Sequence, residues 1–134
     1  MSIVVTPFFT ALLAALYMIL TVRVINARGS ERIGLGEQGN EKLLRRVRAH
    51  SNCAEYVPIA LLLILMLELM GAAPWLLVGL GTVLLAGRSL HAYGFSHEPE
   101  LGNLRVAGMI LTFTVIGIAT IANLILSLDG LFLA

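Results

Sequence analysis

The chain has 134 residues, of which 58% are hydrophobic and only 13% are charged. Soluble domains are closer to about 45–50% apolar and about 25% charged, so this composition indicates an integral membrane protein. The net charge of +1 offers no broad basic surface, so nucleic acid is not expected as a partner. Cys53 is the only cysteine, and the three histidines lack zinc-site spacing, so neither a disulfide within the chain nor a metal site is expected.

The N-terminal half predicts two membrane spans separated by a polar segment. Residues 1–22 contain no charge and no clear signal-cleavage site, and we expect a retained first span over residues 3–25. Residues 29–42 are glycine-rich and charged, which predicts a loop. A second span follows over residues 43–70, and Asn40 is a suitable N-cap for its helix.

The C-terminal half predicts two further spans. Gly71 to Pro74 forms a tight break, because glycine ends a helix and proline begins one. The third span is predicted over residues 75–95, and Pro99 prevents the helix from continuing through the next polar segment. The fourth span is predicted over residues 105–128, and we expect Asp129-Gly130 to end it.

The distribution of basic residues predicts the orientation of these four spans. All nine Lys and Arg residues lie in the first or third loop or in the helix ends beside them. By the positive-inside rule, these loops are cytoplasmic and both termini lie on the opposite face. No internal repeat is visible, so residues 1–134 are predicted to form one domain, an all-α bundle of four transmembrane helices.

A polar stripe on the second predicted helix needs a specific explanation. All but one of its residues lie in the segment R-A-H-S-N-C-A-E-Y-V-P at residues 48–58. Polar groups at such depth are costly and usually face a bundle interior or a water-filled site. At 100° per residue, the members of the stripe fall within roughly a 100° arc: Arg45, Arg48, Asn52, Glu55 and Tyr56.

Three explanations of this stripe are open from the residues alone. Arginines near helix ends, such as Arg23, Arg45 and Arg46, can extend to phospholipid headgroups. Glu55 lies about two turns deeper than Arg48, gains nothing from anionic lipid, and could form an interhelical ion pair with an arginine. Alternatively, the arginines bind ligand carboxylates and Glu55 binds a ligand ammonium. That arrangement suits a small zwitterionic, net anionic molecule in a groove open to the cytoplasm.

The same segment resembles a known family. Residues 48–58 are similar to the R-x-x-x-N-x-x-E-x-x-P signature of the membrane-associated proteins in eicosanoid and glutathione metabolism, the MAPEG family. The similarity includes V-I-x-A-R at residues 24–28, G-R-x-x-H at residues 87–91 and R-V-A-G at residues 105–108. It covers nearly the whole chain, and it is greatest to the short bacterial inner-membrane members.

The resemblance implies a homotrimer in a bacterial inner membrane, with both termini periplasmic and the basic loops cytoplasmic. It implies that glutathione binds between adjacent subunits as a cosubstrate, and that the protein is a glutathione S-transferase or peroxidase. Its substrates would be lipophilic electrophiles or hydroperoxides reached from the membrane lipids, and Glu55 would lie near the γ-glutamyl amine. The implied glutathione-binding residues are Arg28, Arg48, Asn52, Glu55, Tyr56, Arg88, His91 and Arg105.

The chain also departs from the family's better-defined enzymes. Gly29 stands where leukotriene-synthesising members have a second arginine, and Val106 stands where prostaglandin-synthesising members have serine. Phe95 stands where eukaryotic enzymes often have tyrosine. Arg105 is therefore the implied catalytic residue, which would stabilise the thiolate and so lower the pKa of the thiol. No eicosanoid-specific synthase is expected, and Cys53 is expected to be a small packed residue.

Two other classes of function compete with an enzyme. A non-catalytic lipid-binding or scaffold protein of the same fold is compatible with the missing thiol-activating groups. A small proton-coupled exporter is disfavoured, because such proteins usually place a glutamate in their first span and this span has no acidic residue.

Overall fold

The computed structural model describes residues 3–97 and 99–133 and consists there of four α-helices. Each helix is long and apolar enough to cross a membrane, which confirms the all-α, four-helix prediction. The shortest, with 23 residues, is about 35 Å long, against a hydrocarbon core of about 30 Å. The helices are α1 (Val5–Glu31), α2 (Glu41–Leu69), α3 (Pro74–Ser96) and α4 (Gly102–Leu133).

Helices α2 and α3 form the centre of the bundle. Each of them contacts all three other helices, whereas α1 and α4 do not contact each other within the described ranges. The main core is made by leucine, isoleucine, valine and alanine side chains from all four helices. In the first half of α3, Gly81 packs directly against the ring of Phe9. A tight contact between α3 and α4 lies at Gly108, where a Cβ would be 2.5 Å from the backbone O of Gly87 and the backbone N of His91.

Local signals set the ends of α2 and the start of α3 as the sequence predicts. The Asn40 side chain accepts a hydrogen bond from the backbone N–H of Leu43 at 2.9 Å, so it is the N-cap of α2. Gly71 follows the last turn of α2 with a φ of 79°, a conformation that favours glycine. Pro74 opens α3, where its missing N–H is not needed.

Two predicted helix ends are wrong. Helix α1 continues to Glu31, into the predicted loop, because the backbone N–H groups of Arg32 and Ile33 both donate to Arg28 O and cap it there. Helix α4 continues past Asp129-Gly130 to Leu133. A single glycine costs a helix only about 1 kcal/mol relative to alanine, and it leaves the backbone hydrogen bonds intact.

A carboxylate from α2 caps the first turn of α1. Glu68 is only 8% exposed, and its two carboxylate oxygens accept hydrogen bonds from the backbone N–H groups of Val4, Val5 and Thr6, each at 2.7 Å. The N-terminal N–H groups of a helix have no partner within the helix, and the helix dipole favours a negative charge there. Since Val4 offers no side-chain cap, Glu68 fixes the start of α1 from 62 residues away.

Candidate functional site

An open polar groove runs along α2 where it faces the end of α3 and the start of α4. It consists of three adjoining cavities of about 260, 350 and 430 Å³. Phe95 borders all three, while Arg48 and Asn52 each border two of them. The structure therefore brings together, in what we call the polar groove, most of the predicted binding residues: Arg48, Asn52, Glu55, His91 and Arg105.

Arg48 and Glu55 are the two charges of this groove that have no partner among the described residues. Both side chains are exposed on the same face of α2, about 10 Å apart along the helix axis. In the part of the chain that the structure describes, neither forms a hydrogen bond or an ion pair. The interhelical ion pair considered for Glu55 is therefore not formed within the described chain. A cation and a carboxylate at this spacing are free to meet the opposite charges of one ligand.

Arg88 lies beneath the groove rather than in it. Its side chain is 0% exposed, and it does not border any of the three cavities. Its Nη2 donates to Asn52 Oδ1 at 2.6 Å, and its Nη1 lies 3.4 Å from Thr112 Oγ1 and 3.7 Å from Met109 Sδ. Since α3 packs between α2 and α4, a residue on its inner face reaches both neighbours. Among the described residues, no carboxylate pairs with this buried cation.

His91 connects α3 to the first turns of α4. It is 2% exposed, and its Nδ1 lies 3.1 Å from the backbone O of Arg105. A carbonyl oxygen only accepts, so Nδ1 carries the proton and donates. The backbone contact at Gly108 brings the two helices close enough for this bond. His91 therefore fixes the position of the backbone from which the Arg105 side chain extends.

The Arg105 side chain is held at the mouth of the groove by two neighbours. Its Nε donates to Glu100 Oε1 at 2.9 Å, and its guanidinium lies 5.3 Å from the centre of the Phe95 ring. Glu100 is also 3.8 Å from Arg45. Sequence reasoning missed Glu100, although an acid five residues before Arg105 in a short polar segment was a usable signal. The predicted thiolate-stabilising cation is thus already paired with a carboxylate of its own chain.

The other residues singled out from the sequence, Tyr56, Arg28 and Cys53, do not line the polar groove. Tyr56 does not border any of the three cavities; it packs edge-on against Phe113, which does, with ring centres 5.4 Å apart. Arg28 is outside the groove, since its Nη1 donates to the backbone O of Gly36 at 3.0 Å in the loop between α1 and α2. A single chain therefore does not bring Arg28 together with the other binding residues. Cys53 is only 2% exposed, which confirms that it is a small packed residue.

The fold and the groove together define a four-helix membrane protein with a charged recess at one end of the bundle. A model of the MAPEG family matches residues 6–125. The chain belongs to this family, which confirms the resemblance seen in the sequence. It is 38% identical over 120 residues to inner membrane protein YecN of Escherichia coli strain K12, covering 90% of each chain. The YecN protein of Escherichia coli O6:H1, strain CFT073, gives the same identity and coverage.

Proposed function

We propose that the polar groove binds glutathione and that the protein is a membrane glutathione S-transferase or peroxidase. The observation that supports this most directly is the pair of exposed charges, Arg48 and Glu55, which lie on one face of α2 and have no partner within residues 3–97 and 99–133. Glutathione has two carboxylates, one ammonium and a thiol, so it offers an opposite charge to each of them. Family membership supports the same ligand, because the family belongs to glutathione and eicosanoid metabolism.

The proposed chemistry takes place at the Arg105 end of the groove. Arg105 stabilises the glutathione thiolate, and the thiol proton leaves to water through the open mouth. The cavity of about 430 Å³, which Arg105 borders, joins the polar groove to an apolar surface. Its apolar lining residues are Val106, Met109, Ile110 and Phe113. A lipophilic electrophile reaches the sulfur along that surface. The thiolate attacks its electrophilic carbon to form a C–S bond, and the leaving group takes the displaced electron pair.

The proposed assembly is a homotrimer in the inner membrane, with basic loops cytoplasmic and both termini periplasmic. Charged side chains at membrane depth are costly when they face lipid, and Arg48 and Glu55 are exposed in the single chain. A neighbouring subunit that covers the groove removes this cost. It also offers a role for Arg28, which lies away from the groove of its own chain and would contribute to the groove of its neighbour.

Calorimetric titration of detergent-purified protein with glutathione tests the proposal. We expect binding by the wild type and a loss of affinity of about tenfold or more in Glu55→Gln and in Arg48→Gln, since each removes a charge-assisted contact. The matched control is Asp129→Asn, because Asp129 is exposed near the C-terminal end of α4 and borders none of the three cavities. Wild-type affinity in Glu55→Gln would refute the ammonium contact. Conjugation of glutathione to a chlorodinitrobenzene-type electrophile then tests catalysis.

One observation favours a second function, that of a non-catalytic lipid-binding or scaffold protein. Arg105 is paired with Glu100 at 2.9 Å, and this pairing reduces the positive charge offered to a thiolate. Mass spectrometry of the purified protein separates the two functions. Co-purified lipid, with neither glutathione binding nor conjugation, would support the scaffold.

A further inference from the structure

Arg88 is buried, yet it determines which hydrogen-bonding group of Asn52 is available to a ligand in the groove. A guanidinium has five N–H donors and no acceptor. The Asn52 atom 2.6 Å from Arg88 Nη2 is therefore the amide oxygen, because the amide nitrogen offers no acceptor to that donor. The amide nitrogen of Asn52, with its two donors, is what remains for the groove. Asn52 borders two of the three cavities, so this nitrogen belongs to the wall of the site.

We propose that Arg88 is a positioning residue that fixes Asn52 as a hydrogen-bond donor to the bound molecule. The inference rests on the proposed function and deepens it. The group of glutathione held at Asn52 is then an acceptor, a carboxylate or a peptide carbonyl oxygen. Arg88 itself does not touch the ligand, because its side chain is 0% exposed and borders none of the three cavities.

Asn52 is uncharged, and it therefore leaves the positive charge of Arg88 uncancelled. A buried cation is normally paired with a carboxylate, but Arg88 is held by an amide, a hydroxyl and a thioether. None of these partners cancels its charge, so the wall keeps a net positive charge that favours an anionic ligand. An aspartate at position 52 would satisfy Arg88 equally well. It would also neutralise that charge and replace two donors with acceptors.

A double-mutant cycle on glutathione affinity tests the positioning role. We expect Asn52→Ala and Arg88→Met each to weaken binding about 10- to 100-fold in the wild-type background. Because Arg88 acts chiefly through Asn52 and only secondarily through its own charge, we expect Arg88→Met to cost at least about threefold less affinity in the Asn52→Ala background than in the wild-type background. Arg88→Lys also has only donors and is expected to retain most of the affinity. An equal loss from Arg88→Met in both backgrounds would overturn the inference.

A second variant decides the question even if Arg88→Met does not fold. Asn52→Asp keeps a hydrogen-bonding partner for Arg88, and we expect it to fold and to bind glutathione at least tenfold more weakly. Affinity equal to or above that of the wild type would overturn the inference. Thr114→Val is the matched control, because it makes a conservative substitution on α4 away from Arg88 and Asn52, at a hydroxyl that donates to the backbone O of Ile110 at 2.9 Å. We expect it to bind as the wild type does.

The outcomes for this inference and for the proposed function are distinguishable. If the wild-type protein does not bind glutathione, the proposed function fails and the inference fails with it. If the wild type binds and the cycle shows no coupling between Arg88 and Asn52, only the inference fails.

Discussion

The pairing of Arg105 with Glu100 leads to a prediction in which removing a salt bridge increases activity. Glu100 Oε1 accepts from Arg105 Nε at 2.9 Å, so a thiolate at Arg105 competes with this carboxylate. Glu100→Gln keeps the shape of the side chain and removes the competing charge. We expect the variant to hold a larger fraction of bound glutathione as thiolate and to conjugate electrophiles faster.

The structure sets the size of this effect. The Arg105 and Glu100 side chains are 40% and 29% exposed, so their pair is solvent-screened. Exposed pairs contribute about 0.2 to 1 kcal/mol, which corresponds to an increase of about 1.4- to 5-fold in thiolate at a pH where most of the thiol is protonated. The measurement is the ultraviolet absorbance of bound thiolate across a pH series, together with the conjugation rate at saturating glutathione.

A matched control removes the same charge from the same end of the groove. Glu41 lies 3.7 Å from Arg45, is 83% exposed and is not a partner of Arg105. We expect Glu41→Gln to leave both the thiolate fraction and the conjugation rate at wild-type values. A thiolate fraction in Glu100→Gln at or below that of the wild type would show that Glu100 supports Arg105 rather than competing for it.

Three further predictions concern stability, measured by thermal unfolding in detergent. Glu68→Ala removes the cap of α1 and is expected to lower the free energy of unfolding by about 2 kcal/mol; an unchanged midpoint would refute the capping role. Gly108→Ala forces a Cβ against the backbone of α3 and is expected to cost about 1–3 kcal/mol. Its control, Gly117→Ala, has nothing within 4 Å of the new Cβ and is expected to be neutral or slightly stabilising. Asn40→Ala removes the N-cap of α2 and is expected to cost about 1 kcal/mol, whereas a loss below a few tenths would contradict the cap.

The fold follows from the sequence wherever its signals are local. Long apolar segments separated by polar ones predict four helices, and Asn40 and Pro74 mark helix starts because their effects act within one turn. The end of α1 differs, because a glycine is tolerated in a helix and the capping occurs three residues later, at Arg32. The cap by Glu68 was not predicted, since it joins groups 62 residues apart that only the packing of α1 on α2 brings together.

The sequence predicts which residue types form the candidate site and which helix face they share. It does not predict how deeply each side chain is buried. Arg48 and Glu55 occupy one stripe of α2, and the structure places both in the polar groove. Arg88 also belongs to the family pattern, yet nothing local distinguishes an arginine that touches a ligand from one buried beneath the site. Its depth depends on how closely α2 and α4 pack against α3. Glu100 lies in a loop, where the direction of a side chain depends on the path between two helices.

The bond between His91 and α4 has a consequence for how the chemistry of this protein can change. His91 donates to the backbone carbonyl of Arg105, an atom that every amino acid has. The joint between α3 and α4 is therefore independent of which side chain occupies position 105. Exchanging that side chain alters the reactive end of the groove and leaves the backbone position of residue 105 unchanged. New reactivity can thus evolve here by single substitutions, without a compensating change in the helices.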